Sequence, residues 1–589
     1  MTRRPLRPLA RVLEARAQGE DPDLIEAEER AARTRERHRA ERQRAETRLM
    51  LLAATFLLAF GTVAVRMSVL AATEPAEPKS ARAGSDIVAQ RADIVDRNGN
   101  ILAKNLLTAS LYAQPHQMVD RPAAAAGLAR IFPDLDEADL LRHFSGSRKF
   151  LWIKRSLSPE QQQLVHDLGE PGLQFGPREL RLYPNGRLAS HVLGGYGFGR
   201  EGVHAAEVIG KAGLELAHDA FLRDPGNGGQ PLQLSLDLGV QAAVERVLEG
   251  GMQLMNAKGA AAVLMEADTG QIVAMVSLPD FDPNQRPAPP VSGDPSDSPI
   301  FNRAAQGVYE LGSTFKIFAA AQALELGIAN PATMYDTKGP LTWGRFKIRD
   351  FHDYGPRLSL RDVIVKSSNI GTARIAMDIG ADRQRAFLDR LGLLTAVPVS
   401  LPEAGRSKPL LPANWSEISA MTISYGHGIA ATPLHLAAAY ATMVNGGLKV
   451  SPSLLRNSDR PTEADRVISE RTSAQLREML RAVVADPKGT ASLADVPGYR
   501  VGGKTGTADK PKATGGYHED KVIATFAAVF PAEAPEYVLT VSLDEPEDRS
   551  GKKPRRTAGW TAAPVAAEII RRIAPLMNMR PKHTETARN

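Results

Sequence analysis

Three short polar motifs in the second half of the chain carry side chains that could transfer protons and an acyl group. Ser313 and Lys316 are three residues apart at the start of an apolar, helix-forming stretch, so on a helix the hydroxyl and the amine share one face. A serine becomes a nucleophile when a neighbour takes its proton, and a lysine can do so if burial or another cation lowers its pKa. By itself, the pair is equally typical of a solvated helix face.

The second motif, KSSN at residues 366–369, supplies a hydroxyl at Ser367 and a carboxamide at Asn369. The hydroxyl could relay a proton to or from Ser313, and the amide could hold a substrate carbonyl. A plain helix cap or polar loop would have the same residue types.

The third motif, GKTGT, supplies Lys504 as a second positive charge. The hydroxyls of Thr505 and Thr507 could bind a carboxylate, and Gly506 could let a substrate backbone approach an open strand edge. The backbone N–H groups of Ser313 and Thr507 would then form an oxyanion hole.

The composition limits what these motifs can belong to. Of the 589 residues, 43% are hydrophobic and 24% are charged, which indicates several globular segments and excludes a disordered or polytopic membrane chain. Cysteine is absent, so disulfides, cysteine-bound metals and a thiol nucleophile are excluded. The net charge of +6 is too dilute for a nucleic-acid groove.

One apolar run, at residues 49–72, is long enough to cross a membrane as a helix, with Arg66 near its end. Eight arginines lie in the twenty residues before it, whereas residues 71–90 hold only two basic side chains. The positive-inside rule therefore places the amino end in the cytoplasm and everything after residue 72 outside the cytoplasm. We expect an uncleaved, single-pass anchor in the inner membrane, because the preceding segment is too long for a secretory leader.

Segments rich in Pro and Gly divide the remainder of the chain. The expected order is a cytoplasmic Arg/Glu-rich tail at 1–48, the anchor at 49–72, a linker at 73–90, an elongated domain at 91–232, a catalytic domain at 233–577 and a tail at 578–589. A hairpin is predicted at the Asn98-Gly99 turn. Residues 194–202, GGYGFGREG, are predicted to form a mobile Gly-rich loop.

Short apolar runs predict the elements of the catalytic domain. Strands are expected at 233–236, 260–265, 271–277, 522–530 and 537–543, and helical segments at 317–326, 439–443 and 562–573. Strands in hairpins combined with separate helices indicate an α/β (α+β) fold, with a central antiparallel sheet flanked by helices.

Taken together and in this order, S-x-x-K, S-x-N and K-T-G resemble the motif set of β-lactamases and penicillin-binding proteins. The similarity to class B penicillin-binding proteins extends over roughly residues 90–575. Its main segments are RADIVDRNGNILA at 91–103, the R-x-YP-x-G stretch at 181–186, GKAGLELAHDAFL at 210–222, DTGQIVAMVSLPDFDPN at 268–284, NRAAQGVYELGSTFK at 302–316, SYGHG at 424–428 and AAPV at 562–565. Chain length, the single anchor and SLYAQP at 110–115 are most similar to the septal, cell-division transpeptidases of that family.

The resemblance implies a D,D-transpeptidase with a penicillin-binding, β-lactamase-like catalytic domain on a pedestal (dimerisation) domain. Ser313 would attack the penultimate D-Ala carbonyl of a stem pentapeptide, an amine of a neighbouring stem would take the acyl group, and β-lactams would be trapped as a stable ester. The resemblance makes Lys316 the general base, with Ser367 and Lys504 shuttling the proton.

For substrate binding, the resemblance implies that Asn369 holds the donor peptide and that Thr505, Gly506 and Thr507 line the carboxylate site. It implies no cofactor and no metal. The partners would be peptidoglycan stem peptides, β-lactam antibiotics, and a polytopic glycan polymerase with other membrane proteins of the division machinery.

Several different functions fit parts of the sequence. Residues 498–505 match the phosphate-loop pattern G-x-x-x-x-G-K-[ST], with residues 538–544 as a strand ending in an acid, but glycines and a proline follow where a helix must start. Residues 197–202 match a dinucleotide fingerprint without a strand–helix context. His518-Glu519-Asp520 and the pair His427/His435 lack metal-ligand spacing, so surface or packing histidines are expected.

The same three motifs would also serve related activities. A D,D-carboxypeptidase or a β-lactamase would pass the acyl group to water, and an elongation-type enzyme would catalyse the same reaction elsewhere in the cell. A β-lactam sensor or a division scaffold would use the fold only for binding. The short charged tail is too small for a signalling module.

Overall fold

The computed structural model describes residues 13–14, 16–19, 21–72, 91–201, 206–456, 460–512 and 515–582. The predicted linker at 73–90 and most of the predicted C-terminal tail lie outside these ranges. Two compact units are present, both discontinuous in sequence. The first comprises residues 1–79, 112–153 and 163–174, and the second comprises residues 80–111, 154–162 and 175–589.

The helices are α1 Pro22–Ala72, α2 Arg121–Ile131, α3 Glu137–Phe144, α4 Pro159–His166, α5 Ser190–Leu193, α6 Gly213–Ala217, α7 Asp219–Arg223, α8 Leu238–Leu254, α9 Lys316–Glu325, α10 Leu360–Val365, α11 Asn369–Ile379, α12 Ala381–Arg390, α13 Pro402–Arg406, α14 Glu417–Ser424, α15 Pro433–Val444, α16 Glu470–Ala485 and α17 Ala562–Leu576. The strands are β1 Ile94–Val95, β2 Ile101–Ala113, β3 Leu151–Leu157, β4 Leu173–Leu182, β5 Gly195–Glu201, β6 Ala206–Ala212, β7 Leu232–Gln233, β8 Gly259–Glu266, β9 Ile272–Leu278, β10 Met334–Asp336, β11 Leu341–Trp343, β12 Phe346–Ile348, β13 Arg357–Ser359, β14 Gly502–Pro511, β15 Tyr517–Phe530 and β16 Tyr537–Asp544.

The first unit contains the long helix α1 and a small helical part. Within α1, residues Glu46–Met67 form a stretch long and apolar enough to cross a membrane, and it overlaps the anchor predicted from sequence. Helices α2 and α3 contact each other, and each begins at an aspartate, Asp120 or Asp136, whose side chain accepts a backbone N–H of the first turn. Such caps replace hydrogen bonds that a helix start otherwise lacks.

In the second unit, five antiparallel strands form the central sheet in the order β14-β15-β16-β8-β9. Helices α8 and α17 pack against each other and against this sheet, and α15 packs on β8 and β16. Because β9 and almost all of β8 and β16 are buried, both faces of these strands are covered. This arrangement confirms the predicted antiparallel sheet flanked by helices, and it leaves β14 at an edge.

Two of the local predictions are wrong. Most of the stretch predicted as a loop is a strand, because Gly195–Glu201 forms β5 and pairs antiparallel with β6. The alternation of Tyr196 and Phe198 with glycine is a period-two strand pattern, and these two rings make an edge contact. The strand expected at 233–236 shortens to Leu232–Gln233, which pairs with β1.

The predicted hairpin at Asn98-Gly99 is confirmed. β1 and β2 pair antiparallel, with Val95 opposite Ile101. Asp96 closes the turn, since its Oδ1 accepts the backbone N–H groups of Asn98 and Asn100, each at 2.8 Å.

A buried charge cluster ties together three segments of the second unit. Glu215 is fully buried, with Oε2 2.6 Å from Arg91 Nε and Oε1 2.7 Å from Arg181 Nε. Arg91 also donates to Asp219 at 2.7 Å, and Tyr183 donates its hydroxyl to Glu215 at 3.3 Å. We name Arg91, Arg181, Glu215 and Asp219 the pedestal cluster, and its two positive and two negative charges compensate one another.

Candidate active site

Ser313 lies in a single 3₁₀ turn, Gly312–Phe315, immediately before helix α9. Gly312 has a φ of +54°, and a Cβ there would lie 2.6 Å from the carbonyl oxygen of Thr507. A side chain at this position would therefore push the turn away from β14. The carbonyl oxygen of Thr314, the residue after Ser313, accepts a hydrogen bond from the Tyr440 hydroxyl at 2.7 Å. This bond is a second contact that holds the turn in place.

A hydrogen-bonded chain of three polar groups runs beside this turn. Lys316 Nζ donates to Ser367 Oγ at 3.0 Å and also to the Ser367 carbonyl oxygen. Lys504 Nζ donates to the same Ser367 Oγ at 3.0 Å and to the Thr505 carbonyl oxygen at 3.1 Å. One residue from each motif therefore meets the others at a single hydroxyl, the convergence that the set of three motifs requires.

The sequence indicates that the Ser313 hydroxyl and the Lys316 amine can touch, and the structure shows no hydrogen bond between them. The Lys316 amine donates to Ser367, and no described residue forms a hydrogen bond with Ser313 Oγ. Catalytic hydrogen bonds are often long before substrate binds. Even so, Ser313 and Lys316 are only three residues apart, at the junction of the 3₁₀ turn and α9.

Both lysines are fully buried, and this changes their protonation. Burial, followed by the neighbouring Lys504 charge, holds the pKa of Lys316 well below its usual range, against an opposing effect of Asp350. Burial lowers the pKa of Lys504 to about 7. Charged amines are costly to bury, so the lowered pKa lets Lys316 accept a proton, whereas Lys504 can hold or release one near neutral pH.

The second motif is held in a strained conformation by an aspartate outside it. Ser367 has a φ of +63°, a region that costs a non-glycine residue about 1–3 kcal/mol. Asp350 accepts from Ser368 Oγ at 2.7 Å, Asn369 N at 2.5 Å and Ile370 N at 3.0 Å, at the start of α11. These bonds place the Ser367 hydroxyl between the two amines.

The third motif lies on the edge strand β14, where Lys504 is opposite Ala527 and Thr507 is opposite Ala524 of β15. Thr505 Oγ1 lies 2.8 Å from Thr490 Oγ1, and Thr507 Oγ1 accepts the Ala558 N–H at 3.0 Å. The hydroxyls predicted to bind a carboxylate are thus already oriented by neighbours.

Gly506 has a packing reason that the sequence did not reveal. A Cβ at this position would lie 2.2 Å from the Leu311 carbonyl oxygen and 2.8 Å from Thr314 Cγ2. Glycine is therefore required for the nucleophile's turn to pack against β14. Its predicted role in admitting a substrate backbone stays a prediction.

A cavity of about 500 Å³ opens on these groups. Five of the predicted site residues line it, namely Ser313, Ser367, Asn369, Thr505 and Thr507. Lys316 and Lys504 lie buried beneath Ser367, and Gly506 is not part of the lining. The Asn369 side chain donates to the Arg349 carbonyl at 2.9 Å.

Sequence reasoning missed several residues of this site. Thr490 and Lys488 precede β14 by more than ten residues, and Trp560 comes from the segment before α17. Asp350 is 17 residues before Ser367 in a loop without periodicity. A lone polar residue in such a loop has no sequence signal, because only the fold brings it to the motif.

The phosphate-loop interpretation does not fit the structure. Residues 498–505 lead into strand β14 rather than a helix, so no helix N-terminus faces an anion there. Asp544, the acid that would have bound magnesium, instead accepts Lys510 Nζ at 2.7 Å. His435 is a buried packing residue, as expected, whose Nδ1 is 2.8 Å from Thr432 Oγ1.

Family models cover both domains that the sequence suggested. Residues 260–571 match the penicillin binding protein transpeptidase domain, and residues 86–232 match the penicillin-binding protein dimerisation domain. The chain therefore belongs to the penicillin-binding proteins, and the resemblance drawn from the motifs is confirmed.

Individual relatives agree over most of the chain. The probable peptidoglycan D,D-transpeptidase FtsI of Caulobacter vibrioides is 37% identical over 502 residues, which cover 84% of this chain and 82% of the relative. Peptidoglycan D,D-transpeptidase FtsI of Escherichia coli is 28% identical over 562 residues, covering 91% and 92%. A crystal structure of penicillin binding protein 3 from Mycobacterium tuberculosis, complexed with aztreonam, superposes with a TM-score of 0.63 at 27% identity, covering 84% of this chain and 97% of that one.

Proposed function

We propose that this protein is a septal peptidoglycan D,D-transpeptidase, which cross-links stem peptides through an ester on Ser313 and is acylated by β-lactams. The observation that carries the proposal is the chain from Lys316 through Ser367 to Lys504 beneath the cavity that contains Ser313. Family membership and relatives named peptidoglycan D,D-transpeptidase support the substrate class.

Acylation begins with a proton transfer. The buried Lys316 amine, with its lowered pKa, takes the Ser313 proton, and the alkoxide attacks the penultimate D-Ala carbonyl. The backbone N–H groups of Ser313 and Thr507 stabilise the oxyanion. The terminal D-Ala leaves, and its amine receives a proton through Ser367 and Lys504, which are already joined by a hydrogen bond.

Binding of the donor peptide uses the cavity walls. The carboxylate of the terminal D-Ala is held by the hydroxyls of Thr505 and Thr507, with the Lys504 charge beneath them. Asn369 holds the donor backbone through its amide. This assignment is supported by the shared cavity lining of the three residues.

The direct test is the intact mass of the protein after penicillin treatment. One covalent adduct is expected for the wild type and none for Ser313→Ala. Ser367→Ala should still form the adduct, but orders of magnitude more slowly. An adduct that persists in Ser313→Ala would show that the nucleophile is another residue.

We also propose a single-pass inner-membrane protein with its amino end in the cytoplasm, supported by the apolar segment Glu46–Met67. Because the chain has no cysteine, one cysteine can be introduced at a time, at Arg30 or at Lys552. A maleimide that cannot cross membranes should label only Lys552→Cys in cells with a permeabilised outer membrane. Labelling of Arg30→Cys instead would show that the amino end lies outside the cytoplasm, opposite to the proposal.

The domain division we propose is the one expected from sequence, with a pedestal at 91–232 and a catalytic domain at 233–577, supported by the two family matches. A polytopic glycan polymerase of the division machinery would bind through the anchor and pedestal. Replacing residues 46–67 with an unrelated membrane span should weaken its co-purification. Depletion should give filamentous cells, whereas round cells would indicate an elongation role.

A further inference from the structure

One histidine of the active-site cavity has no part in the acylation step. His427 lines the cavity that contains Ser313, and its side chain is 32% exposed. It belongs to SYGHG, residues 424–428, for which the sequence indicated only a surface or packing histidine. A half-buried imidazole facing a catalytic cavity is a candidate proton acceptor.

A carboxylate supports the imidazole ring. Glu310 Oε2 lies 3.2 Å from His427 Nδ1, and the other carboxylate oxygen accepts Gly428 N at 2.8 Å and the Tyr517 hydroxyl at 2.9 Å. The ring also contacts Tyr425, with centroids 5.5 Å apart. Since Nδ1 faces the carboxylate, Nε2 is the nitrogen left for a ligand, as in other carboxylate-oriented catalytic histidines.

The backbone holds this pair beside the nucleophile from two directions. Gly426 has a φ of +83°, and a Cβ there would lie 1.9 Å from the Gly312 carbonyl oxygen. The loop that carries His427 is therefore packed on the turn that carries Ser313. Glu310 precedes Ser313 by three residues in the same segment.

The charges near the ring are negative. Asp509 is a second carboxylate that interacts electrostatically with both His427 and Glu310. The lysines that line the cavity, Lys366 and Lys488, are positive and suit an anionic ligand. The cavity thus has two lysines that suit a carboxylate ligand. It also has an imidazole next to two carboxylates, which suits a cationic ligand.

We propose that His427, oriented by Glu310, binds the acceptor amine and takes its proton before the amine attacks the ester on Ser313. The inference rests on the proposed function and adds the ligand class of the second half-reaction, a primary amine of a neighbouring stem peptide. Such an amine arrives largely as an ammonium ion and must lose a proton before it can attack.

The bonds and protons of this step balance. The ammonium group gives one proton to His427 Nε2, and the neutral amine attacks the ester carbonyl on Ser313. A C–N bond forms and the C–O bond to Ser313 breaks. The second amine proton passes to Ser313 Oγ through Lys316 and Ser367, and His427 releases its proton to solvent. Glu310 is a positioning residue, because it acts through the ring.

The experiment compares two amines that differ in the need for deprotonation. The full-length protein in detergent is given a thioester analogue of a D-alanyl-D-alanine donor, with either D-methionine or hydroxylamine as acceptor. At neutral pH D-methionine is an ammonium ion, whereas hydroxylamine is already neutral. Mass spectrometry measures the ratio of amide (or hydroxamate) to hydrolysed product, and thiol release measures acylation.

With D-methionine, His427→Ala and His427→Gln should lower the amide ratio by roughly 100-fold, the lower end of general-base effects. With hydroxylamine, the ratio should change by less than about threefold. Glu310→Gln should show the same selectivity with a smaller loss. The control His518→Gln, which changes a histidine of β15 outside the cavity lining, should match the wild type with both amines.

Two results would overturn the inference. An equal loss with both amines would assign His427 a structural role, and no loss with either would remove it from the reaction. Both results leave the proposed function standing as long as the wild type forms the acyl-enzyme. Failure of the wild type to be acylated by the thioester or by penicillin would instead contradict the proposed function itself.

Discussion

The pedestal cluster and the active-site lysines both contain buried cationic side chains, but they differ in whether anionic partners compensate the charge. In the pedestal cluster, Arg91 and Arg181 share the carboxylate of Glu215, and Arg91 also pairs with Asp219. In the active site, Lys316 and Lys504 share only the neutral hydroxyl of Ser367 and backbone carbonyls. The first arrangement is compensated in charge, and the second is not.

The residue types match this difference. Arginine stays protonated in proteins and offers a fork of donors, so two arginines can hold one carboxylate permanently. Lysine loses its proton when it is buried without a counter-charge. The pedestal cluster can therefore join segments as a fixed support, whereas the lysine pair can exchange protons because burial lowers the pKa of both amines.

The largest expected effect is on chemistry and comes from the uncompensated pair. Lys316→Ala should slow acylation by penicillin about 1,000-fold, or about 4 kcal/mol in activation free energy, because Ser313 loses its base. Because burial already disfavours the charged form of Lys316, its removal breaks no buried ion pair, and thermal stability should change little. The measurement is the rate of covalent adduct formation beside a melting curve. A normal rate would show that another group takes the serine proton.

The opposite result is expected for the compensated cluster. Glu215→Gln leaves Arg181 and Arg91 buried without their shared carboxylate and should lower the unfolding free energy by about 3–5 kcal/mol. The urea midpoint measures this loss, with the exposed Glu249→Gln as matched control. Protein that remains folded should be acylated at nearly the wild-type rate. A loss of acylation without a loss of stability would contradict the supporting role.

The same contrast explains how much could be predicted from sequence. The motif residues and the main strands follow from local patterns, since the apolar runs of β15 and β16 and the helical run after Ser313 are visible in the chain. The segments of Arg91 and Glu215 were noted as family-like, but their contact spans 124 residues. No local pattern encodes such a pairing.

The residues that were missed share this cause. Asp350 and His427 reach the site only because a loop and a glycine turn pack on distant elements. β5 was misread because its glycines indicated a loop, although the alternating aromatics carry the strand pattern. Glycine-rich segments are ambiguous when the partner strand, here β6, is not known.

A smaller effect is expected on the pH dependence of stability. The pKa of Lys504 falls from 10.5 in the unfolded chain to about 7 in the fold. Between these values the unfolded state binds a proton that the folded state does not, so this group makes stability rise with pH, by at most about 1.4 kcal/mol per pH unit. The buried Lys504 amine therefore destabilises the fold most at pH values below its folded pKa, and this destabilisation is absent above its unfolded pKa.

Lys504→Met should remove this slope. The variant should therefore gain stability relative to the wild type at pH 7 and lose part of that gain at pH 9, as measured by urea midpoints at both values. The exposed Lys552→Met is the matched control and should follow the wild type at both. A constant difference between Lys504→Met and the wild type would mean that the buried amine keeps its proton.

The smallest effect concerns the aspartate that holds the second motif near the lysines. Asp350→Asn keeps the size of the side chain but removes its charge and one acceptor for Ser368 Oγ and the N–H groups of Asn369 and Ile370. Weakening these bonds to the first N–H groups of α11 should cost about 1 kcal/mol of stability, as the loss of a helix cap does. Acylation should slow severalfold because Ser367 is less firmly held between the amines. The control is Asp353→Asn, which changes only a turn bond to Gly355 in the same loop and should leave the acylation rate unchanged. An equal slowing in both variants would show that the loop as a whole, rather than the hydrogen bonds of Asp350, positions Ser367.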